Sequence, residues 1–282
     1  MRIGAGLPAG VPGARGGLIL DWARKADEGP FTSLAVVDRY AYDCFDALTT
    51  LSAAAAVTRR VRLATTIVVA PLRNTATLAK TAATVDVISG GRLVLGLAVG
   101  AREDDYQTAE VDYHQRGRIL TRQLSALRNL WESDKFGPRP VRPGGPEILV
   151  GGLSDPAFAR VARYANGYVH GGGPPRSFAR AADRARAAWR DAGRPGLPEL
   201  WGQGYFALGD GAAERGAAYL KDYYAFTGSF ADKIAAGLLA TPQSIIQYLR
   251  GYEEAGCSEL VLLPAVAEPS QLERLAEAVG SL

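Results

Sequence analysis

Residues 61–106, VRLATTIVVAPLRNTATLAKTAATVDVISGGRLVLGLAVGAREDDY, read as strand, loop, helix, tight turn, strand and a charged, glycine-containing loop. The run Val61–Val69 is too apolar to alternate, which is the pattern of a strand covered on both faces. Pro71 ends it. Leu78, Ala82, Val85 and Ile88 then recur at helical spacing, and Gly90-Gly91 supplies the left-handed residue that closes the helix. Leu93–Leu97 is a second buried strand, delivering Gly100-Ala101-Arg102-Glu103-Asp104-Asp105-Tyr106 as a loop at its C-terminal end. Parallel α/β enzymes place their active sites on loops of this kind.

The same alternation extends in both directions. Apolar segments fall at Arg2–Leu7, Ser33–Val37, Val61–Val69, Leu93–Ala98, Glu147–Val150, Gly167–His170, Leu200–Leu208 and Glu259–Leu263, with amphipathic helical patterns between them. Strict strand–helix alternation requires a parallel sheet, and about eight strands predict closure into a (β/α)8 TIM barrel. The 282 residues suit one such barrel domain spanning 1–282. Two stretches exceed one helix per strand: the Pro/Gly-rich 133–146 and the helix-rich 209–240, both expected as excursions near the active-site rim. Thr241-Pro242 has the composition of a helix start.

Composition narrows the function. The chain is 48% hydrophobic and 22% charged, with 32 basic residues against 29 acidic ones. Its arginines are interspersed with acids along helices, as in Arg180–Arg184, so nucleic-acid binding is not expected. No apolar run has the roughly 20 residues of a membrane helix. Met1 leads straight into a strand without a signal-like leader, so a cytoplasmic protein is expected. Cys44 and Cys257 are isolated, and Glu103, Asp104 and Asp105 have no matching His/Cys cluster, so no metal site is expected. None of the five lysines ends a strand, where a Schiff-base nucleophile would stand, and neither G-x-S-x-G nor a Walker sequence occurs.

What remains is a phosphate cradle. Glu147–Pro156, EILVGGLSDP, runs from a strand through Gly151-Gly152 into a helix start, where backbone N–H groups and the helix dipole favour an anion. Ser154 reads either as the helix cap or as a phosphate ligand. Gly171-Gly172-Gly173 follows the next strand beside His170, and two such turns in register make one cradle. The bland alternative is a pair of tight turns. His170 reads as a ligand contact or as a hydrogen-bonded spacer. Asp38-Arg39 ends the second strand, as a functional pair or as structural ion-pair partners. A cradle without nucleophile, metal or base suits a cofactor that carries the difficult chemistry itself.

The strings SGGRLVLGLAVGAREDDY (89–106), APLRN (70–74) and Asp38-Arg39 resemble the bacterial luciferase-like flavin- and deazaflavin-dependent oxidoreductases, and the resemblance runs to AGCSELVLLPAV (255–266). It is strongest over Asp38–Tyr106. It implies a (β/α)8 barrel, a homodimer, and FMN or the deazaflavin coenzyme F-420 as cofactor. It also implies a non-prolyl cis peptide in the third strand, mapping onto Thr66-Ile67, that backs the isoalloxazine ring. The loop Val99–Arg102, including Gly100, would flank the ring or phosphate. Gly151, Gly152, Ser154, Gly171 and Gly172 would hold the phosphate, and Asp38, as in the deazaflavin-using branch, would contact the cofactor headgroup; the residues themselves add Arg39, Arg102 and His170 as catalytic or polar partners. Two positions depart from the pattern. Arg39 stands where many relatives carry a proton-transferring histidine, and Ala101 where the sugar-phosphate dehydrogenase branch carries a glutamate. Neither luciferase nor glucose-6-phosphate dehydrogenase activity is therefore carried over.

The expected function is hydride transfer to or from a small organic substrate, or its oxygenation, with a separate flavin reductase if the cofactor is FMN. The alternatives are a flavin-binding paralogue without turnover and a flavin-free phosphate-binding isomerase or lyase.

Overall fold

The structure is a computed structural model that describes residues 1–280. Its strands are β1 (Arg2–Gly6), β2 (Ser33–Val36), β3 (Arg62–Thr65), β4 (Val68–Val69), β5 (Leu93–Ala98), β6 (Glu147–Gly151), β7 (Gly167–Val169), β8 (Glu199–Phe206) and β9 (Glu259–Pro264). Every pairing is parallel, in the order β3-β2-β1-β9-β8-β7-β6-β5, and β3 meets β5 at Leu63↔Leu93 and Ala64↔Val94 to close the ring. The third barrel strand is not continuous. It stops at Thr65 and resumes as β4, which pairs with β5 at Val68↔Leu97. The result is an eight-stranded closed barrel, the TIM-barrel architecture.

The helices are α1 (Gly16–Glu28), α2 (Ala47–Val57), α3 (Thr75–Ile88), α4 (Glu103–Thr108), α5 (Arg116–Glu132), α6 (Asp155–Tyr164), α7 (Pro175–Asp191), α8 (Ala212–Tyr223), α9 (Phe230–Ala236), α10 (Pro242–Glu254) and α11 (Pro269–Gly280). Local chemistry sets several starts. The Asn74 side chain accepts from the N–H groups of Ala76 and Thr77 to open α3, and Thr241 with Ser244 forms a reciprocal capping box on α10.

Two apolar layers follow from the alternation of strand side chains. Ala35, Ala64, Val94, Leu149, Val169, Trp201, Val261 and Leu263, from seven strands, fill the barrel lumen as one cluster. The opposite faces of the strands pack against the helices in a larger cluster that includes Trp22, Phe31, Leu63, Leu124 and Phe178. Both faces are dry, which is why the strands read as unbroken apolar runs.

Polar groups seal the N-terminal end of the barrel. Glu259, with no exposed surface, accepts from Thr32 Oγ1 at 2.9 Å, Arg2 Nε at 3.1 Å and Arg62 Nη1 at 3.2 Å. Arg62 reaches on to Glu147 at 2.7 Å, and Arg2 to Glu199 at 2.5 Å.

Three sequence expectations are corrected. Segment 133–146 links the end of α5 to the start of β6, so it lies at the N-terminal end of the strands and not at the rim. There Val141 N–H donates to Asp86 at 2.8 Å and packs near Gly91. The charged loop after β5 is helical from Glu103 onward, with Glu103, Asp104 and Asp105 in the first turn of α4, where acidic side chains complement the helix dipole. The helix-rich 209–240 is not one continuous helix: α8 ends at Tyr223, and a 3-10 turn (Ala225–Thr227) and the separate α9 follow. These α8–α9 elements follow β8 and pack over the C-terminal ends of β1, β8 and β9 in their own cluster with Val11, Ala207, Ala265 and Val266.

Candidate functional site

The C-terminal ends of the strands carry every candidate residue, and three of the sequence motifs prove to be parts of one scaffold. Asp38, beyond β2, uses both carboxylate oxygens. Oδ2 accepts the Val69 N–H at 3.1 Å and Oδ1 meets Arg73 at 2.8 Å. Arg73 also reaches Asp46 at 2.7 Å. Burial pushes the Asp38 carboxyl above its ordinary range, and the Arg73 guanidinium opposes that shift. Asp38 therefore braces β4 against the β2 loop.

Arg39 turns the other way. Its Nε donates to Asp105 at 3.1 Å, and its Nη2 lies 3.2 Å from Ala41 O and 3.4 Å from Asp104. Asp105 in turn accepts the N–H groups of Tyr40 at 2.9 Å and Ala41 at 2.7 Å. Asp38 and Arg39 each form an ion pair, as one reading of the sequence allowed, but with different partners and not with each other.

Between β3 and β4 the Thr66–Ile67 peptide is cis. Thr66 N–H donates to Val36 O at 2.8 Å, while its Oγ1 is buried with no hydrogen-bond partner among the described residues. The adjacent strand accommodates this break through Gly96. A Cβ there would stand 2.1 Å from Thr65 O and 3.3 Å from the Ile67 side chain, so only glycine lets β5 approach so closely. The sequence reading passed over Gly96; a glycine interrupting the apolar run LVLGLA was the available signal. It also missed Gln123 of α5, whose amide donates to Ala70 O at 3.0 Å and Arg73 O at 2.9 Å and so fixes the APLRN turn.

On the far side of the mouth, β6 ends in Gly151 and then Gly152 with φ 126°, and β7 is followed by Gly172 with φ 98°. Both values lie where side chains are strained. A Cβ at Gly171 would meet nothing within 4 Å, so this turn faces open space that an anion can fill. Ser154 occupies the N-cap position of α6 but its side chain makes no capping bond, which leaves the hydroxyl available. Two tyrosines that sequence reasoning did not single out steady the second turn. Tyr252 OH donates to Gly173 O at 2.9 Å, and Tyr248 OH lies 2.8 Å from the same carbonyl.

His170 stands beside this turn, 3% exposed, with Nδ1 3.1 Å from Tyr168 OH and Nε2 unpartnered. Burial pushes its pKa down to about 4, against a contact with the Gly172 backbone, so the imidazole is neutral at pH 7. Val99 and Gly100 follow β5. The Val99 carbonyl accepts from Tyr106 OH, and Gly100 has φ 67°. Arg102 turns under the 209–240 excursion. Its guanidinium carbon lies 4.0 Å from the Phe226 ring centroid and 4.8 Å from that of Tyr223. Grooves between α1 and α11 and between α6 and α7 lie on the outer wall and are lined by none of these residues.

The residues present fit a flavin-type cofactor: the glycine turn after β7 faces open space at Gly171, and Thr66 Oγ1 and His170 Nε2 are buried without partners among the described residues at the same end of the barrel.

Comparison with known proteins agrees with this architecture. Streptomyces bottropensis monooxygenase RslO1 superposes with a TM-score of 0.79 at 22% identity, covering 100% of this chain and 99% of the other. An F420-dependent secondary alcohol dehydrogenase superposes with a TM-score of 0.82 at 17% identity, covering 99% and 98%. At these identities the likeness is one of fold. In sequence, the Mycobacterium tuberculosis protein Rv0953c is 32% identical over 179 residues, 58% of this chain and 62% of the relative. Pyrimidine monooxygenase RutA of Escherichia coli is 32% identical over 171 residues, 53% of this chain and 46% of the relative. The matched regions thus span about half to three-fifths of these relatives. The family model for luciferase-like monooxygenases matches residues 1–256, and the chain belongs to that family.

Proposed function

We propose that this protein is an oxidoreductase that uses FMN or the deazaflavin coenzyme F-420 to move a hydride to or from a small organic substrate, or to oxygenate it. The observation that carries this reading is the open space at Gly171 in the turn after β7, beside the Gly151-Gly152 turn and at the same barrel mouth as Thr66 Oγ1 and His170 Nε2, which are unpaired among the described residues. The bound cofactor would supply the redox chemistry, accepting or donating a hydride and, as reduced FMN, activating oxygen.

The chain's own residues bind and orient. Backbone N–H groups of Gly151, Gly152, Gly171 and Gly172, the α6 N-terminus and the Ser154 hydroxyl hold the phosphate. Thr66 and Ile67 form the bed for the ring, with Val99 and Gly100 at its edge. His170, neutral and fixed by Tyr168, offers Nε2 as a hydrogen-bonding group without a competing charge. Asp38 acts by positioning: it ties β4 to the β2 loop and keeps the bed in place. Arg39 stands where many relatives carry a proton-transferring histidine and is held by Asp105 and Asp104, so any proton reaching the substrate comes from elsewhere in the site. We read the protein as one domain, cytoplasmic and homodimeric, served by a separate flavin reductase if its cofactor is FMN.

Fluorescence titration of the apoprotein with FMN and, in parallel, with the deazaflavin tests the proposal. Binding of the deazaflavin alone selects hydride-transfer chemistry, and binding of FMN alone selects oxygenation. Binding of neither removes the cofactor assignment. Gly152→Val, which puts a branched side chain at φ 126° with its Cβ 2.9 Å from that of Ala157, is expected to weaken cofactor binding about 100-fold while the barrel still melts cooperatively. Undiminished binding would remove the cradle.

A further inference from the structure

Arg102 is 9% exposed, yet no hydrogen bond or ion pair reaches its guanidinium among the described residues, and its Nη2 is fully buried. Leaving a buried guanidinium unpaired is costly. The rings of Tyr223 and Phe226, 4.8 Å and 4.0 Å from its guanidinium carbon, offset only part of that cost. Arg39 approaches the same Tyr223 ring at 5.2 Å and the Tyr42 ring at 4.8 Å. It is 6% exposed, and although Asp105 and Asp104 engage its Nε and Nη2, its Nη1 is buried and has no partner among the described residues. Burial and the neighbouring Arg39 cation lower the Arg102 pKa, outweighing the opposing effect of Tyr223, Asp104 and Asp105. Two guanidinium groups brought against one ring, each with an unused buried donor, make a site for an oxyanion.

The aromatic groups around them describe the rest of the ligand. Tyr42, Tyr223 and Phe226 present ring surface at the two guanidinium groups, and Phe226, 45% exposed, lies where this wall reaches solvent. The glycine turns after β6 and β7 lie elsewhere on the rim and already supply a place for the cofactor's phosphate. We propose that Arg39 and Arg102 form a second anion subsite, which binds the carboxylate of a planar, largely apolar substrate. Assigning the anion to the substrate rests on the function proposed above; the existence of the subsite does not.

The test titrates benzoate, and its neutral counterpart benzamide, into the protein with and without FMN, followed by calorimetry. Saturable benzoate binding is expected, at least tenfold tighter than that of benzamide, and lowered at least tenfold in Arg102→Met with partial recovery in Arg102→Lys. Arg102→Met is expected to melt no lower than the wild type, because it removes an unpaired buried charge. Any change in the affinity of Arg102→Met for FMN should be matched by an equal change for riboflavin. Equal binding of benzoate and benzamide, or no benzoate binding, overturns the proposal. So does a melting temperature lowered by more than about 5 °C in both variants, which marks a structural arginine. A selective loss of FMN over riboflavin in Arg102→Met also overturns it, by giving the anion to the cofactor's phosphate. Because benzoate is also titrated into the apoprotein, failure of FMN to bind leaves this result readable.

Discussion

On the β6–β7 side of the mouth the polar surface is mostly backbone, presented by glycines and a helix start; on the β2–β5 side it is charge carried by long side chains. Gly152 and Gly172 adopt φ 126° and 98°, which a residue with a Cβ rarely does, in turns that follow adjacent strands. Arg39 and Arg102 arrive from loops 63 positions apart and both approach the ring of Tyr223, still further along the chain. A backbone cradle suits a group of constant shape, such as a phosphate. A side-chain cluster can be altered one residue at a time, as suits whatever ligand varies between relatives.

Three changes would break or sharpen this contrast. The largest effect is expected at Asp38, the brace within the β2–β5 side. Asp38→Asn leaves Arg73 with Asp46 as its remaining carboxylate partner and should lower unfolding free energy by about 3 kcal/mol in a urea titration. A loss under about 1 kcal/mol would show that β4 is held without the ion pair.

His170 should give an intermediate, pH-dependent effect. Its folded-state pKa is about 4 against 6.5 ordinarily, so the unfolded chain takes up the proton first. The contribution is complete above pH 6.5 and erodes as pH falls towards 4, by up to about 1.4 kcal/mol per pH unit. His170→Gln should flatten that portion of the stability–pH curve, and parallel curves for the two proteins would contradict a buried neutral imidazole.

The smallest effect is expected at Ser154. Because its hydroxyl makes no capping bond, Ser154→Ala should change stability by less than about 0.5 kcal/mol. It should nonetheless weaken FMN relative to riboflavin by about 1 kcal/mol. A stability loss typical of a removed cap, with no change in FMN affinity, would return Ser154 to a structural role.

The barrel was legible because its determinants are local. Leu93–Ala98 and Thr75–Ile88 have the boundaries their apolar patterns indicate, and the glycine turns after β6 and β7 announce themselves in a few consecutive residues. What escaped was set by contacts distant in sequence. Nothing near Arg39 reveals that Asp105, 66 positions on, will take its Nε, nor that Tyr42 OH will donate to Asp222, 180 positions away, at 2.7 Å. Short α4 and α9 lack the length for a periodic signal, and their acidic or aromatic residues resemble loop. The position of 133–146 was misjudged for another reason: proline and glycine mark a turn without saying at which end of a strand it lies.

The Glu259 cluster at the opposite end has a consequence for how such a barrel diversifies. Arg62 on β3 reaches Glu147 on β6 and Glu259 on β9, so these bonds run across the lumen between strands that are not neighbours. They act as spokes, holding the ring's circumference from a floor that no ligand-binding loop touches. Lengthening or exchanging a loop at the mouth then leaves the hub intact, and novelty at one pole is insulated from the closure secured at the other.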